Sequence, residues 1–173
     1  MKKQIILLSS FFGLLFSCNE APAEEPKVPK WTVEHSTKMN EQFTREDEIN
    51  IRLFLSRRKD WAVKSTGSGL RYWIYEDKEG PKAIGGDRVD VKFEVKMLND
   101  SLIYKTEDNE VSTFKVDKSD IESGVMEGIK FLSVGDKAKM IIPSHIGHGL
   151  LGDFRKIPPL QVLVIDLELV KIY

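Results

Sequence analysis

Gly86-Asp87-Arg88-Val89-Asp90-Val91-Lys92-Phe93-Glu94-Val95-Lys96-Met97 is the stretch that decides the fold. Val89, Val91, Phe93, Val95 and Met97 alternate with Arg88, Asp90, Lys92, Glu94 and Lys96. A period of two this regular means a strand with one buried face. On its C-terminal side, Asn99-Asp100-Ser101 reads as a turn and Leu102-Ile103-Tyr104 as a return strand. Ser112 to Val116 is another short strand. Ser123 to Leu132 carries Val125, Met126 and Ile129 at helical spacing, a single short helix. Val134-Gly135-Asp136 is a turn, and Lys137 to Ile142 and Val162 to Ile172 are the last long strands. In the final one Leu163, Ile165, Leu167 and Leu169 share a face, with Asp166 and Glu168 opposite. On the N-terminal side, Leu70 to Tyr75 is aromatic and β-prone, and Gly80 to Asp87 is a loop. No helices alternate with these strands, which disfavours a parallel sheet. The expectation is an α+β domain: an antiparallel sheet of five to six strands wrapped around one short helix.

Ahead of the sheet, Thr44 precedes Arg45-Glu46-Asp47-Glu48, a cap followed by first-turn acids. Ile51, Phe54 and Leu55 recur at helical spacing, and Arg57, Arg58 and Lys59 suit a last turn. A helix is therefore predicted at about 44–59, within a segment spanning 41–65. It is amphipathic, and packing on the domain is its simplest use; a partner surface is the other.

The N-terminus has a separate character. Lys2 and Lys3 precede an apolar run from Ile5 to Phe16. A spanning helix needs about 20 apolar residues, so this run suits a signal segment, residues 1–17. Ser17-Cys18 closes it, and Cys18 is the only cysteine. A lone cysteine forms no internal disulfide. The run and its ending resemble a bacterial lipoprotein lipobox, which implies acylation of Cys18 and attachment to a membrane. Asn19 in place of an aspartate points to the outer membrane. Residues 18–40 then form the acylated cysteine and a flexible tether, with three prolines between Asn19 and Lys30.

Net charge is −1 with a sequence pI near 6.3. No basic field exists to draw in nucleic acid. His145 and His148, with Asp153 close behind, invite a metal-site reading. Two histidines are too few for such a site, so no metal and no cofactor is expected. No serine stands in an elbow-like context, which removes nucleophilic hydrolysis.

Six ordered motifs carry a family resemblance. They are Thr66-Gly67-Ser68-Gly69-Leu70-Arg71-Tyr72; Gly86 to Phe93; Ser123-Gly124-Val125-Met126-Glu127-Gly128; Val134 to Lys139 with Ile142-Pro143; Ile157-Pro158-Pro159-Leu160; and Leu163 to Leu169. From about Thr66 to Ile172 the chain resembles an FKBP-type peptidyl-prolyl isomerase domain, residues 66–173 in domain terms. With its leader it is similar to isomerase lipoproteins of gliding-type Gram-negative bacteria. The resemblance implies turnover of X–Pro bonds in exported proteins, without metal or nucleophile, and an affinity for the family's macrolide ligands. The alternative is a non-catalytic module that binds proline-containing segments.

The resemblance also implies a pocket. Phe93 and Tyr104 fall on aromatic wall positions, and His148 on that of a tyrosine that donates into the pocket. Ile121, Val125, Ile157 and Ile165 fall on apolar lining positions, and Glu122 on one that chiefly offers its backbone N–H. Three residues depart from the family pattern. Lys105 replaces an aspartate, Ser112 an aromatic residue, and His148 the tyrosine.

Overall fold

The structure, a computed structural model, describes residues 31–173; the signal segment, Cys18 and the tether through Lys30 lie outside them. The elements are α1 (Val33–Ser56), β1 (Lys64–Ser65), β2 (Arg71–Glu76), β3 (Arg88–Met97), β4 (Leu102–Lys105), β5 (Ser112–Lys115), α2 (Ser123–Ile129), β6 (Lys137–Ile142) and β7 (Leu163–Ile172). A short 3₁₀ turn, Ser144–Ile146, follows β6. Among the described residues no helix is long and apolar enough to cross a membrane.

All strand pairs are antiparallel, in the order β1-β2-β6-β7-β3-β4, with β5 also on β3. The sheet has seven strands rather than five to six. The addition is β1, two residues long, too short to leave a periodic signal. The inward parity of β3 holds: Val89, Val91 and Val95 are core and Phe93 and Met97 pack against it, while Asp90 on the opposite face is also buried, bonded to Thr113 and Tyr173. The inward residues of β7 join them, with Val125, Met126 and Ile129 of α2. The sheet thus wraps on α2. Gly128 permits the approach, since a Cβ there would lie 2.5 Å from the Met140 sulfur. Helix α2 stops at Ile129 rather than Leu132, yet Leu132 stays buried and Phe131 stacks on Tyr72 at 4.5 Å.

Helix α1 departs further from expectation. It starts at Val33, not near 44, because Thr32 is its cap. The Thr32 hydroxyl accepts the His35 N–H at 3.4 Å, and the His35 ring accepts the Thr32 N–H at 3.4 Å. Thr44 lies inside the helix, where its hydroxyl donates to the Asn40 carbonyl at 2.9 Å. Residues 33–40, expected in the tether, are helical. At the other end Arg57 is already the cap, so Arg58 and Lys59 lie beyond the last turn. Arg58 turns back over the Phe54 ring, 3.6 Å from its centroid, and pairs with Asp100.

Helix α1 packs most deeply on the domain through its second half, while Phe43 in the first half is only half-buried, beside the loop that follows β6. Ile51 and Phe54 meet Ile141, Val162 and Val164 in a second apolar cluster. Met140 and Ile142 of β6 belong to the α2-side core, so successive residues of this strand serve opposite faces of the sheet. A polar clasp sits beside this cluster. One carboxylate oxygen of buried Asp47 accepts both the Ser144 N–H at 2.8 Å and the Ser144 hydroxyl at 2.7 Å.

Candidate functional site

A cavity of about 330 Å³ opens between β3, β4, β5, α2, β7 and the loop that follows β6. That is the lower end of small-ligand pockets. Phe93 and Tyr104 line it with Ile121, Val125, Ile157 and Ile165, and Lys105, Glu122 and His148 add charge or polarity. The structure brings all nine of these sequence-derived candidates to one cavity, together with Ser112. Cys18 lies outside the described residues.

Each candidate reaches the cavity for a local reason. Phe93 shares the inward parity of β3 with Val91 and Val95, which also line the site. Ile165 and its neighbour in parity, Leu167, do the same from β7, and Phe114 from β5. Val125 projects from the first turn of α2 and is 6% exposed, so it is core and cavity floor at once. His145 points elsewhere: its Nε2 donates to the Ser68 carbonyl at 2.9 Å. Among the described residues no three His, Cys, Asp or Glu side chains gather as metal ligands.

His148 reaches the cavity, but its Nε2 lies 2.6 Å from a Glu122 carboxylate oxygen. The ring therefore bridges the loop to the start of α2, and only Nδ1 remains to address a ligand. Glu122, expected to offer chiefly its backbone N–H, also contributes its side chain. Its side chain engages the very residue expected to donate into the pocket.

Asp153 is the charged site residue that the family motifs did not assign, beside the apolar Val91, Val95, Phe114 and Leu167. The Tyr104 hydroxyl donates to one of its carboxylate oxygens. The other oxygen accepts the backbone N–H groups of Arg155 at 2.8 Å, Lys156 at 2.9 Å and Ile157 at 2.8 Å. An aspartate followed by a short turn is a weak signal for such a nest. Its tie to Tyr104 crosses 49 positions in sequence and left no local trace. Burial opposes ionisation of Asp153, but the Tyr104 hydroxyl and the three N–H donors outweigh it and hold the carboxyl well below the usual range. The same hydrogen bond, aided by burial, raises the Tyr104 phenol above its ordinary value.

The signs follow from linkage. A depressed Asp153 contributes stability above the unfolded carboxyl value of about 4, lost as pH falls through the lower folded value. A raised Tyr104 contributes stability below the unfolded phenol value of about 10, lost as pH rises through the higher folded one. The tie is therefore intact across neutral pH. Tyr75 is also held protonated, by burial and by its hydrogen bond to Asp166. An alkaline titration followed by phenolate absorbance is expected to show a late phase that Tyr104→Phe and Tyr75→Phe each reduce. A titration unchanged by Tyr104→Phe counts against the tie.

Gly152 fixes the loop just before Asp153. Its φ is +67°, and a Cβ there would overlap the Ile157 carbonyl oxygen and lie 2.9 Å from the Pro158 carbonyl carbon. Gly152→Ala is expected to cost about 1–3 kcal/mol and to shift the NMR signals of Tyr104 and Ile157. A thermal melt and a heteronuclear spectrum check both.

An antiparallel sheet wrapped on one helix, with an aromatic-walled cavity at its mouth, defines a class of α+β domain. The sequence model of the FKBP-type peptidyl-prolyl cis-trans isomerase family matches residues 80–170, and the chain belongs to that family. It is 34% identical over 111 residues to a probable FKBP-type peptidyl-prolyl cis-trans isomerase, FkpA, of Neisseria meningitidis serogroup B, covering 64% of this chain and 40% of that protein. It is 31% identical over 118 residues to the FKBP-type 22 kDa peptidyl-prolyl cis-trans isomerase of Escherichia coli K12, covering 66% of this chain and 55% of that protein. The chain thus spans less than two thirds of either relative. The crystal structure of Escherichia coli FkpA aligns with a TM-score of 0.65 at 25% identity, over 80% of this chain and 64% of that one.

Proposed function

We propose that this chain is a peptidyl-prolyl cis-trans isomerase acting on X–Pro bonds of exported polypeptides. The observation that carries the reading is the cavity itself, apolar below and aromatic at its walls, in a chain of this family. A peptide C–N bond resists rotation by about 18–20 kcal/mol because of its conjugation. X–Pro bonds populate cis appreciably yet exchange over tens to hundreds of seconds. Twisting the bond ends the conjugation and makes the carbonyl less polar. A dry cup walled by Phe93 and Tyr104 and floored by Val125, Ile157 and Ile165 favours the twisted form over the planar form, which prefers water. The same cup is the place for macrolide ligands.

The leader residues support a lipid-anchored enzyme of the cell envelope. Cys18 carries the acyl chains and the outer membrane is the host. Mass spectrometry of the membrane-extracted protein tests this: a mature chain that starts at acylated Cys18 is expected, and an unmodified thiol removes the anchor.

A second reading, binding without turnover, draws on the engagement of His148 by Glu122. Exchange spectroscopy on an X–Pro peptide separates the two. Faster cis–trans exchange is expected; folded protein that binds the peptide without accelerating exchange leaves only the second reading.

A further inference from the structure

The lip of the cavity around Tyr104 is basic. Lys105 lines the cavity and is exposed. The Lys156 ammonium lies 5.0 Å from the Tyr104 ring centroid and donates to the Ile103 carbonyl at 3.3 Å. Arg155 is exposed, and its backbone N–H donates at 2.8 Å to Asp153, the partner of the Tyr104 hydroxyl.

Three nearby carboxylates have partners of their own, while Glu107 and Asp108, just beyond Lys105, are exposed. Asp153 is occupied by Tyr104 and three backbone N–H groups. Glu122 is taken by His148. Glu94, opposite Lys105 across the β3–β4 ladder, is 2.6 Å from the Lys96 ammonium. Among the described residues, none of Lys105, Arg155 and Lys156 forms an ion pair within 4.0 Å. A cation bordering an apolar cavity and outside any ion pair, with a second over the adjacent Tyr104 ring, is a site for a negative charge carried by whatever enters.

We infer that the preferred clients carry an acidic side chain immediately flanking the proline, held by Lys105 with Arg155 and Lys156 at the Tyr104 lip. The inference rests on the isomerase reading and names its substrate class. The prolyl ring fills the apolar cup, and the neighbouring carboxylate stays half in water against the basic lip. The gain is that of a partly exposed ion pair, a preference of about two- to fivefold.

The test measures catalysed cis–trans exchange by NMR on the peptides Ala-Glu-Pro-Phe and Ala-Leu-Pro-Glu, each against its Gln isostere, with Ala-Leu-Pro-Phe as neutral reference. At roughly 20 mM salt at least one Glu peptide is expected to exceed its Gln partner by that factor. The preference shrinks towards one at about 0.5 M salt, where surface charges are screened. In Lys105→Glu the Glu/Gln ratio falls below one; should that variant not fold, the salt dependence of the unaltered protein decides. Equal Glu and Gln rates at low salt, with the neutral peptide accelerated, overturn the inference and leave the isomerase reading standing. If no peptide is accelerated, the isomerase reading falls instead. Titration of the same peptides by chemical-shift perturbation then decides the charge preference, and equal affinities overturn it.

Discussion

Asp47→Ala is expected to destabilise the folded chain by about 3 kcal/mol, because it leaves a buried N–H and a buried hydroxyl with no acceptor. Asp47 is 5% exposed and Ser144 is 2% exposed, so water does not replace the lost carboxylate. Both Ser144 groups converge on the same Asp47 oxygen. Charge-assisted hydrogen bonds of this kind are about twice as strong as neutral ones. Asp47→Asn keeps an acceptor of the same shape and is expected to lose less than half as much. Urea denaturation checks the pair, and the slope should stay constant so that the midpoint alone reports the change. A loss below about 1 kcal/mol for the alanine variant would show that the clasp is not what fixes α1 to the sheet. The effect reaches the site as well. Ser144 opens the 3₁₀ turn that leads to His148, and the loop then continues to Asp153. Hydrogen exchange at the Ser144 amide should accelerate in both variants, and more in the alanine one.

What the sequence makes legible follows from how local each signal is. Strands β3 and β7 are ten residues long with one face on the α2-side core, so alternation reveals their parity, though not the burial of Asp90 or of Val164 on the opposite face. The start of α1 is hidden because residues 33–46 bury no side chain. Full burial begins only at Asp47, Ile51 and Phe54, and Thr44 stands just ahead of that stretch in the position a cap would take. Thr32 is the true cap, twelve positions earlier, and only Met39 and Phe43, both half-buried, lead back towards it. The cavity poses a different difficulty. Val125, Ile157 and Ile165 are 6%, 4% and 4% exposed, and nothing in their pattern separates a pocket lining from ordinary core. The ordered family motifs single them out, and the fold then sets them around one space. The Tyr104–Asp153 and His148–Glu122 contacts were illegible because each joins segments far apart in sequence through side chains whose direction only the folded loop sets.

Tyr104→Ala is expected to lower kcat/KM for X–Pro exchange at least about tenfold, since misplacing a reacting group by even 1 Å can cost on the order of a hundredfold. The ring forms one wall of the cavity, and it also carries the hydrogen bond to Asp153 and the Lys156 contact. Removing it opens the cup to water on the side where the twisting bond is to be kept dry. Tyr104→Phe isolates the hydroxyl. Asp153 keeps its three backbone donors in that variant, so the loop holds its course and the wall is preserved. Its rate is therefore expected within about threefold of the unaltered chain, a difference of under 1 kcal/mol in the barrier. Exchange NMR on a neutral X–Pro peptide measures both variants, with a thermal melt alongside to establish that each is folded. If the alanine variant is folded and retains the full rate, bond rotation does not take place against this wall, and the assignment of the cavity as the active site fails with it. If Tyr104→Phe loses as much as Tyr104→Ala, the hydroxyl and its Asp153 tie, rather than the apolar wall, set the rate. The cup would then act through a fixed polar contact instead of through dryness alone.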